Sequence, residues 1–226
     1  METRQVQGKG LRYLDVRPDT YNQERDYPLV ILLHGFGAHM GDLAGLAPAI
    51  ESEGYVYVFP NGPLEFDVGF GTTGYGWTPP RGGGGPEEVS RAVIMLDEFL
   101  LEVLERYHVS PGNAVLGGFS QGGTMTYRCG LGKPEVFAGL AALSSTIPDP
   151  EEISPLLPAK RIQPIFISHG LNDNLITPER ARHAKEFLEA EGYAPVYREY
   201  PIGHEISQDV LDDLVSWLHQ ILPPLR

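Results

Sequence analysis

Short runs of unbroken apolar residues alternate along this chain with longer stretches in which apolar positions recur every three or four residues. Residues 28–33 (PLVILL), 55–60, 114–116, 139–143 (GLAAL) and 164–168 (PIFIS) are nearly continuous apolar runs, the pattern of strands covered by helices on both faces. Residues 11–16 and 196–200 bring the expected set to about seven strands, the first of them antiparallel. Helical spacing is clearest at 87–107, where Leu96, Phe99, Leu100, Val103 and Tyr107 share a face, and at 207–221, where Val210, Leu211, Leu214 and Leu218 do. A shorter helix is expected at 42–50. Another starts with Thr177 as N-cap and Pro178 in its first turn. This alternation predicts one α/β domain over residues 1–226, a three-layer α/β/α sandwich around a mostly parallel sheet.

The pattern breaks at 61–86, a stretch rich in glycine, proline and aromatic residues that includes Phe66, Phe70, Tyr75 and Trp77. So long a loop within a compact domain is usually functional or disordered. Its aromatics favour a wall or partial lid over an apolar pocket, with Gly82 to Gly85 as a connector. The alternative is that Trp77 plugs the core.

The run at 114–116 leads into Gly117, Gly118, Phe119, Ser120, Gln121, Gly122 and Gly123. Small neighbours on both sides suit a side chain held on a tight strand-to-helix turn, and Gly118 to Gly122 fits the GxSxG nucleophile elbow. By itself the pentad is weak, because a chain of this glycine content would contain it by chance about 0.14 times. Its context decides. A serine hydroxyl needs a base to take its proton, and the base needs a carboxylate to hold its tautomer.

Seven histidines compete for that role. His39, His108, His183 and His219 read as surface residues. His34 and His169 each precede a glycine at the end of a buried strand, where they brace loops. His204 lies between the last strand and the last helix, on the expected sheet edge. The loop after PIFIS offers Asp173 as its carboxylate. The order Ser120, Asp173, His204 is that of α/β-hydrolases. At the end of the second strand, His34-Gly35-Phe36-Gly37 leaves the Phe36 N–H free to donate to an oxyanion in the crevice where such sheets bind ligands.

GFSQGG around Ser120, LHGFG around His34, SHGLNDNLITPERA around Asp173 and GHEIS around His204 together resemble the bacterial carboxylesterase, phospholipase and acyl-protein thioesterase family of small α/β-hydrolases. The resemblance runs from about residue 28 to 217. It implies Ser120, Asp173 and His204 as the triad, the backbone N–H groups of Phe36 and Gln121 as the oxyanion hole, and substrate contacts from Trp77, Ile147 and Leu175. The chain departs from the family in following Trp77 with Thr78-Pro79-Pro80 and four glycines. As a backbone donor, Gln121 is expected to tolerate replacement of its side chain.

A net charge of −13 without long acidic runs reads as a solubilising surface and argues against a nucleic-acid partner. The lone Cys129 excludes an intrachain disulfide and is expected to be core. METRQVQGKG lacks the apolar segment of a signal peptide, and no stretch is long enough to span a membrane, so the expected compartment is the cytoplasm. No metal-ligand spacing and no phosphate-binding loop occur, so no metal or cofactor is expected. The reading is a serine carboxylesterase for short- to medium-chain esters. A thioesterase for acyl-proteins or acyl-CoA, or a lysophospholipase, would use the same triad, and a non-catalytic ligand-binding module is the remaining class. An apolar rim on the 61–86 loop would serve a homodimer as readily as a lipid-like ligand.

Overall fold

The apolar runs become the interior of one sheet. In a computed structural model that describes residues 1–69, 71–79 and 85–226, the strands are β1 (Glu2–Gln7), β2 (Arg12–Arg17), β3 (Leu29–Leu33), β4 (Val56–Pro60), β5 (Leu64–Asp67), β6 (Thr73–Gly76), β7 (Ala114–Phe119), β8 (Gly139–Leu143), β9 (Ile165–Gly170) and β10 (Val196–Tyr200). The helices are α1 (Ala47–Ile50), α2 (Pro86–Arg106), α3 (Gln121–Gly130), α4 (Pro150–Ile153), α5 (Pro178–Ala190) and α6 (Gln208–Ile221). Eight strands form the main sheet in the order β1-β2-β4-β3-β7-β8-β9-β10. It is parallel from β4 to β10 and antiparallel at β1 and β2.

Alternation along each buried strand supplies both flanking layers. Leu29, Ile31 and Leu33 of β3 face the core shared with α2, α3 and α5, while Val30 and Leu32 face the one shared with α1 and α6. Each such side chain contributes about 1.5–3 kcal/mol on burial. Sequence order reverses beside β3, with β4 on one side and β7 on the other. In open α/β sheets such a switch opens a crevice beyond the carboxyl ends of the strands, and here those ends carry Phe36 and Ser120.

The expected α/β-hydrolase fold is present, with three local differences. β1 adds an eighth strand; its residues are nearly all exposed, so no hydrophobic alternation announced it. Residues 42–50 form a 3-10 turn at Ala44–Leu46 and a single α-helical turn at Ala47–Ile50 rather than one helix; Gly45 and Pro48 interrupt it. The 61–86 stretch is not a plain loop, because β5 and β6 pair as an antiparallel hairpin, and Ala38 bridges to Tyr75 beside β3. Phe70 and the connector at 82–84 lie outside the described residues. Cys129 is buried, as expected.

Helix α3 approaches the sheet so closely that a β-carbon on Gly122 would lie 2.1 Å from the Leu33 carbonyl oxygen and 2.7 Å from that of His34. Both obstacles are backbone and cannot step aside. Gly122→Ala is therefore expected to cost about 3 kcal/mol or more in urea unfolding, whereas Gly45→Ala, with open space around it, is expected to change stability by less than about 1 kcal/mol. Equal effects of the two changes would refute the close-approach argument.

Candidate active site

Ser120 joins β7 to α3 with φ 55° and ψ −119°, a left-handed conformation that costs a non-glycine residue about 1–3 kcal/mol. The surroundings enforce it. The Ser120 N–H donates to Leu143 O at 2.9 Å and its carbonyl accepts from Thr124 N–H at 3.2 Å. A β-carbon on Gly118 would strike Gly122 carbonyl carbon at 2.3 Å, so the glycines allow strand and helix to converge on the turn. This is the elbow that the pentad predicts.

The candidate acid and base lie on the loops after the last two strands. Asp173 follows β9 and His204 follows β10. The two loops are tied by Leu171 N–H to Tyr200 O at 2.7 Å and Asn172 N–H to Ile202 O at 2.9 Å. Asp173 Oδ2 lies 2.6 Å from His204 Nδ1, and Asp173 Oδ1 accepts from the Leu175 and Ile176 amides, each at 2.9 Å. Burial alone would raise the Asp173 pKa, yet the hydrogen bonds from His204, Ile176 and Leu175 outweigh it and hold the carboxyl below its ordinary value. The Nδ1–H thus points at the acid, which leaves Nε2 free to act as a base. His204 and Ser120 open onto one cavity of about 470 Å³, with no hydrogen bond between their side chains among the described residues.

The other two strand-end histidines brace the frame. His34 Nδ1 lies 2.7 Å from Gly35 O, and its Nε2 accepts from Gly62 N–H at 2.9 Å, which fixes a neutral tautomer; burial depresses its pKa. His169 Nε2 lies 2.7 Å from Ile176 O and 3.4 Å from Asp173 Oδ2, steadying the acid loop. His39, His108 and His183 are exposed. His219 departs from expectation: it is half-buried and stacks on Tyr55 at 6.1 Å.

Phe36 and Gln121 both line the cavity, and neither of their N–H groups donates to a backbone carbonyl among the described residues. Gln121 opens α3, where helical N–H groups have no intrahelical partner. Its side chain does more than expected. Oε1 accepts from Trp77 N–H at 2.8 Å, and Nε2 donates to Thr78 O and Oγ1, both at 2.8 Å. The amide latches the 61–86 stretch to the elbow.

Of the three expected substrate contacts, only Leu175 reaches the cavity, where it is 66% exposed. Trp77 is fully buried and plugs the core, its Nε1–H donating to His34 O at 2.9 Å; an indole at this depth satisfies its one donor on the strand end. Ile147 is likewise a core residue. The wall expected of Trp77 is made instead by Thr78 and Pro79, and Phe66 backs Phe36 at 4.9 Å. Thr124, Arg128 and Thr146 also line the cavity and were not anticipated. The signal for two of them was available, since 120, 124 and 128 fall on one helical stripe.

A model of the family described as Phospholipase/Carboxylesterase matches residues 20–222. The chain belongs to this family. It is 27% identical to acyl-protein thioesterase 1 of Gibberella zeae over 86% of this chain and 91% of that one. It is 33% identical to carboxylesterase SOBER1 of Arabidopsis thaliana over 60% of this chain and 58% of that one. The crystal structure of esterase PE8 superposes with a TM-score of 0.77 at 27% identity, covering 92% of this chain and 97% of that one. The family is one of ester hydrolases, and the fold and the ordered motifs agree with membership.

Two variants test the local architecture. Gln121→Ala is expected to destabilise the protein by about 2 kcal/mol and to accelerate hydrogen exchange at the Trp77 amide; unchanged exchange there would show that the latch is not needed. Asp173→Asn is expected to cost about 2 kcal/mol near neutral pH. Because the folded carboxyl titrates below its unfolded value of about 3.9, this stabilisation is present above that value and lost as the pH falls through the lower folded pKa. The gap between wild type and variant in urea titrations should therefore close below about pH 4, and a gap that persisted there would contradict the ionised assignment.

Proposed function

We propose that the protein is a serine carboxylesterase acting on short- to medium-chain esters through Ser120, His204 and Asp173. Ser120 Oγ attacks the ester carbonyl as His204 Nε2 takes its proton, and the N–H groups of Phe36 and Gln121 receive the developing oxyanion. His204 then protonates the departing alcohol. The same imidazole activates the water that releases the acid and restores Ser120. Asp173 stays ionised throughout, holding the ring tautomer and balancing the transient imidazolium.

The observation that carries this reading is the Asp173–His204 hydrogen bond of 2.6 Å beside a serine held at φ 55° on the same cavity. A volume of about 470 Å³ falls in the range of small-molecule sites, roughly 300–1,000 Å³. A thioesterase reading is favoured by the relative named acyl-protein thioesterase 1, which this chain spans over 91% of its length, and the same residues would serve it. The polar wall of Thr124, Arg128 and Thr146 argues against a long alkyl chain.

Ser120→Ala is expected to lower kcat on p-nitrophenyl butyrate by about 10⁴- to 10⁶-fold and to abolish labelling by a fluorophosphonate probe. Retention of near wild-type turnover by that variant would end the assignment. Wild-type kcat/KM is expected to be higher for butyryl and octanoyl p-nitrophenyl esters than for palmitoyl thioesters, and the reverse order would favour the thioesterase.

A further inference from the structure

Helix α3 carries a polar stripe away from the nucleophile. Ser120, Thr124 and Arg128 follow one another at intervals of four residues, and all three line the cavity together with Thr146. The Thr124 hydroxyl donates to Thr146 O at 2.8 Å and lies 3.3 Å from Thr146 Oγ1, so the two threonines form one hydroxylated surface. Arg128 is only 14% exposed. Its Nε and Nη2 both donate to a single oxygen of Glu152, at 3.2 and 2.9 Å, and its Nη1 donates to no protein acceptor among the described residues.

A wall built to hold an alkyl chain would not place a guanidinium here: Arg128 Nη1 keeps access to solvent, and an alkyl chain laid over it would remove that water without offering an acceptor. Arginine does match carboxylates, through its planar fork of donors. Eight residues of helix separate Ser120 from Arg128, a rise of about 12 Å, and a helical side chain leans back toward the N-terminus. The guanidinium is thus within reach of a group on the order of four to six atoms from a carbonyl at Ser120. Asp42, the opposing charge in the cavity, belongs to the stretch after β3, beyond Phe36 and Ala38. The remaining surface charge is screened within about 8 Å at physiological salt, so Arg128 and its partner Glu152 set the charge at this end of the cavity.

We propose that the natural substrate is an ester bearing a carboxylate four to six atoms from the scissile carbonyl, held by Arg128 beside the Thr124 and Thr146 hydroxyls. This rests on the site being an ester hydrolase and names the substrate class it takes. Glu152 positions the guanidinium and also competes with the substrate for it.

The test compares matched esters by kcat/KM, each corrected for the rate without enzyme. Mono-p-nitrophenyl adipate is set against p-nitrophenyl hexanoate for a carboxylate on the acyl side, and 5-acetoxypentanoate against pentyl acetate for one on the alcohol side. The carboxylate ester is expected to be preferred about tenfold in one pair, as for a charge-assisted hydrogen bond. Arg128→Leu is expected to reduce that ratio to about one or below, and Glu152→Gln to raise it about two- to threefold. The glutamine variant keeps the test intact should the leucine variant fail to fold. A wild-type preference for the neutral ester in both pairs, or a ratio unmoved by either substitution, overturns the proposal. If the neutral esters are turned over in a Ser120-dependent way without a carboxylate preference, the esterase reading stands and this inference alone falls; if no ester in either pair is turned over, both fall.

Discussion

The molecule depends on one backbone turn. At Ser120 the chain leaves a buried strand and enters a helix within a single residue, in a left-handed conformation that an isolated chain would avoid by about 1–3 kcal/mol. The strain persists because strand and helix are held on both sides: β7 is hydrogen-bonded within the sheet, and α3 presses against the β3 carbonyls through Gly122. The reward is geometric. Ser120 opens onto the cavity, the first amide of α3 has no backbone acceptor among the described residues, and the next two turns of the helix run along the cavity wall.

A strained serine alone is inert, and the second half of the arrangement is a matter of registering two loops. β9 and β10 pair in parallel, with Gly170 opposite Tyr200. A β-carbon on Gly170 would lie 2.2 Å from Gly203 O, so the acid and histidine loops touch through a position that admits no side chain. Asp173 is then over-determined: His204 and two backbone amides converge on its oxygens, enough to keep a buried carboxylate ionised. In the proposed reaction, preorganisation of this kind would let the imidazole accept a proton without any reorientation of its partner.

What the sequence made legible follows the same physics. Strands buried on both faces announce themselves by unbroken hydrophobicity, and helices by their period, so the layers could be read directly. The placing of Asp173 and His204 at the edge that carries Ser120 could be read because serine-hydrolase chemistry calls for those residue types at the ends of particular strands. β1 could not, because a polar edge strand is specified by its partner β2 rather than by its own pattern. Trp77 and Ile147 misled for a related reason: sequence marks a side chain as large and apolar but says nothing of its depth, and both lie a layer below the surface that a ligand would touch. The cavity residues that were not anticipated, Thr124, Arg128 and Thr146, are polar, and the mark that two of them leave in the sequence is their helical spacing from Ser120.

That error of depth clarifies what Trp77 and Gln121 do together. The indole donates to His34 O on the strand that leads to Phe36, while the Trp77 amide is held by the Gln121 side chain on the helix that starts at the nucleophile. One residue therefore connects the β3 end, which carries the first candidate oxyanion amide, to the α3 start, which carries the second. The separation of the two amides is set by the core through this link, with His34 fixed in a neutral tautomer beside it. An oxyanion site built this way would owe its spacing to the packed interior, whereas the other cavity residues, such as Leu175 on the acid loop and Arg128 on α3, lie outside that link.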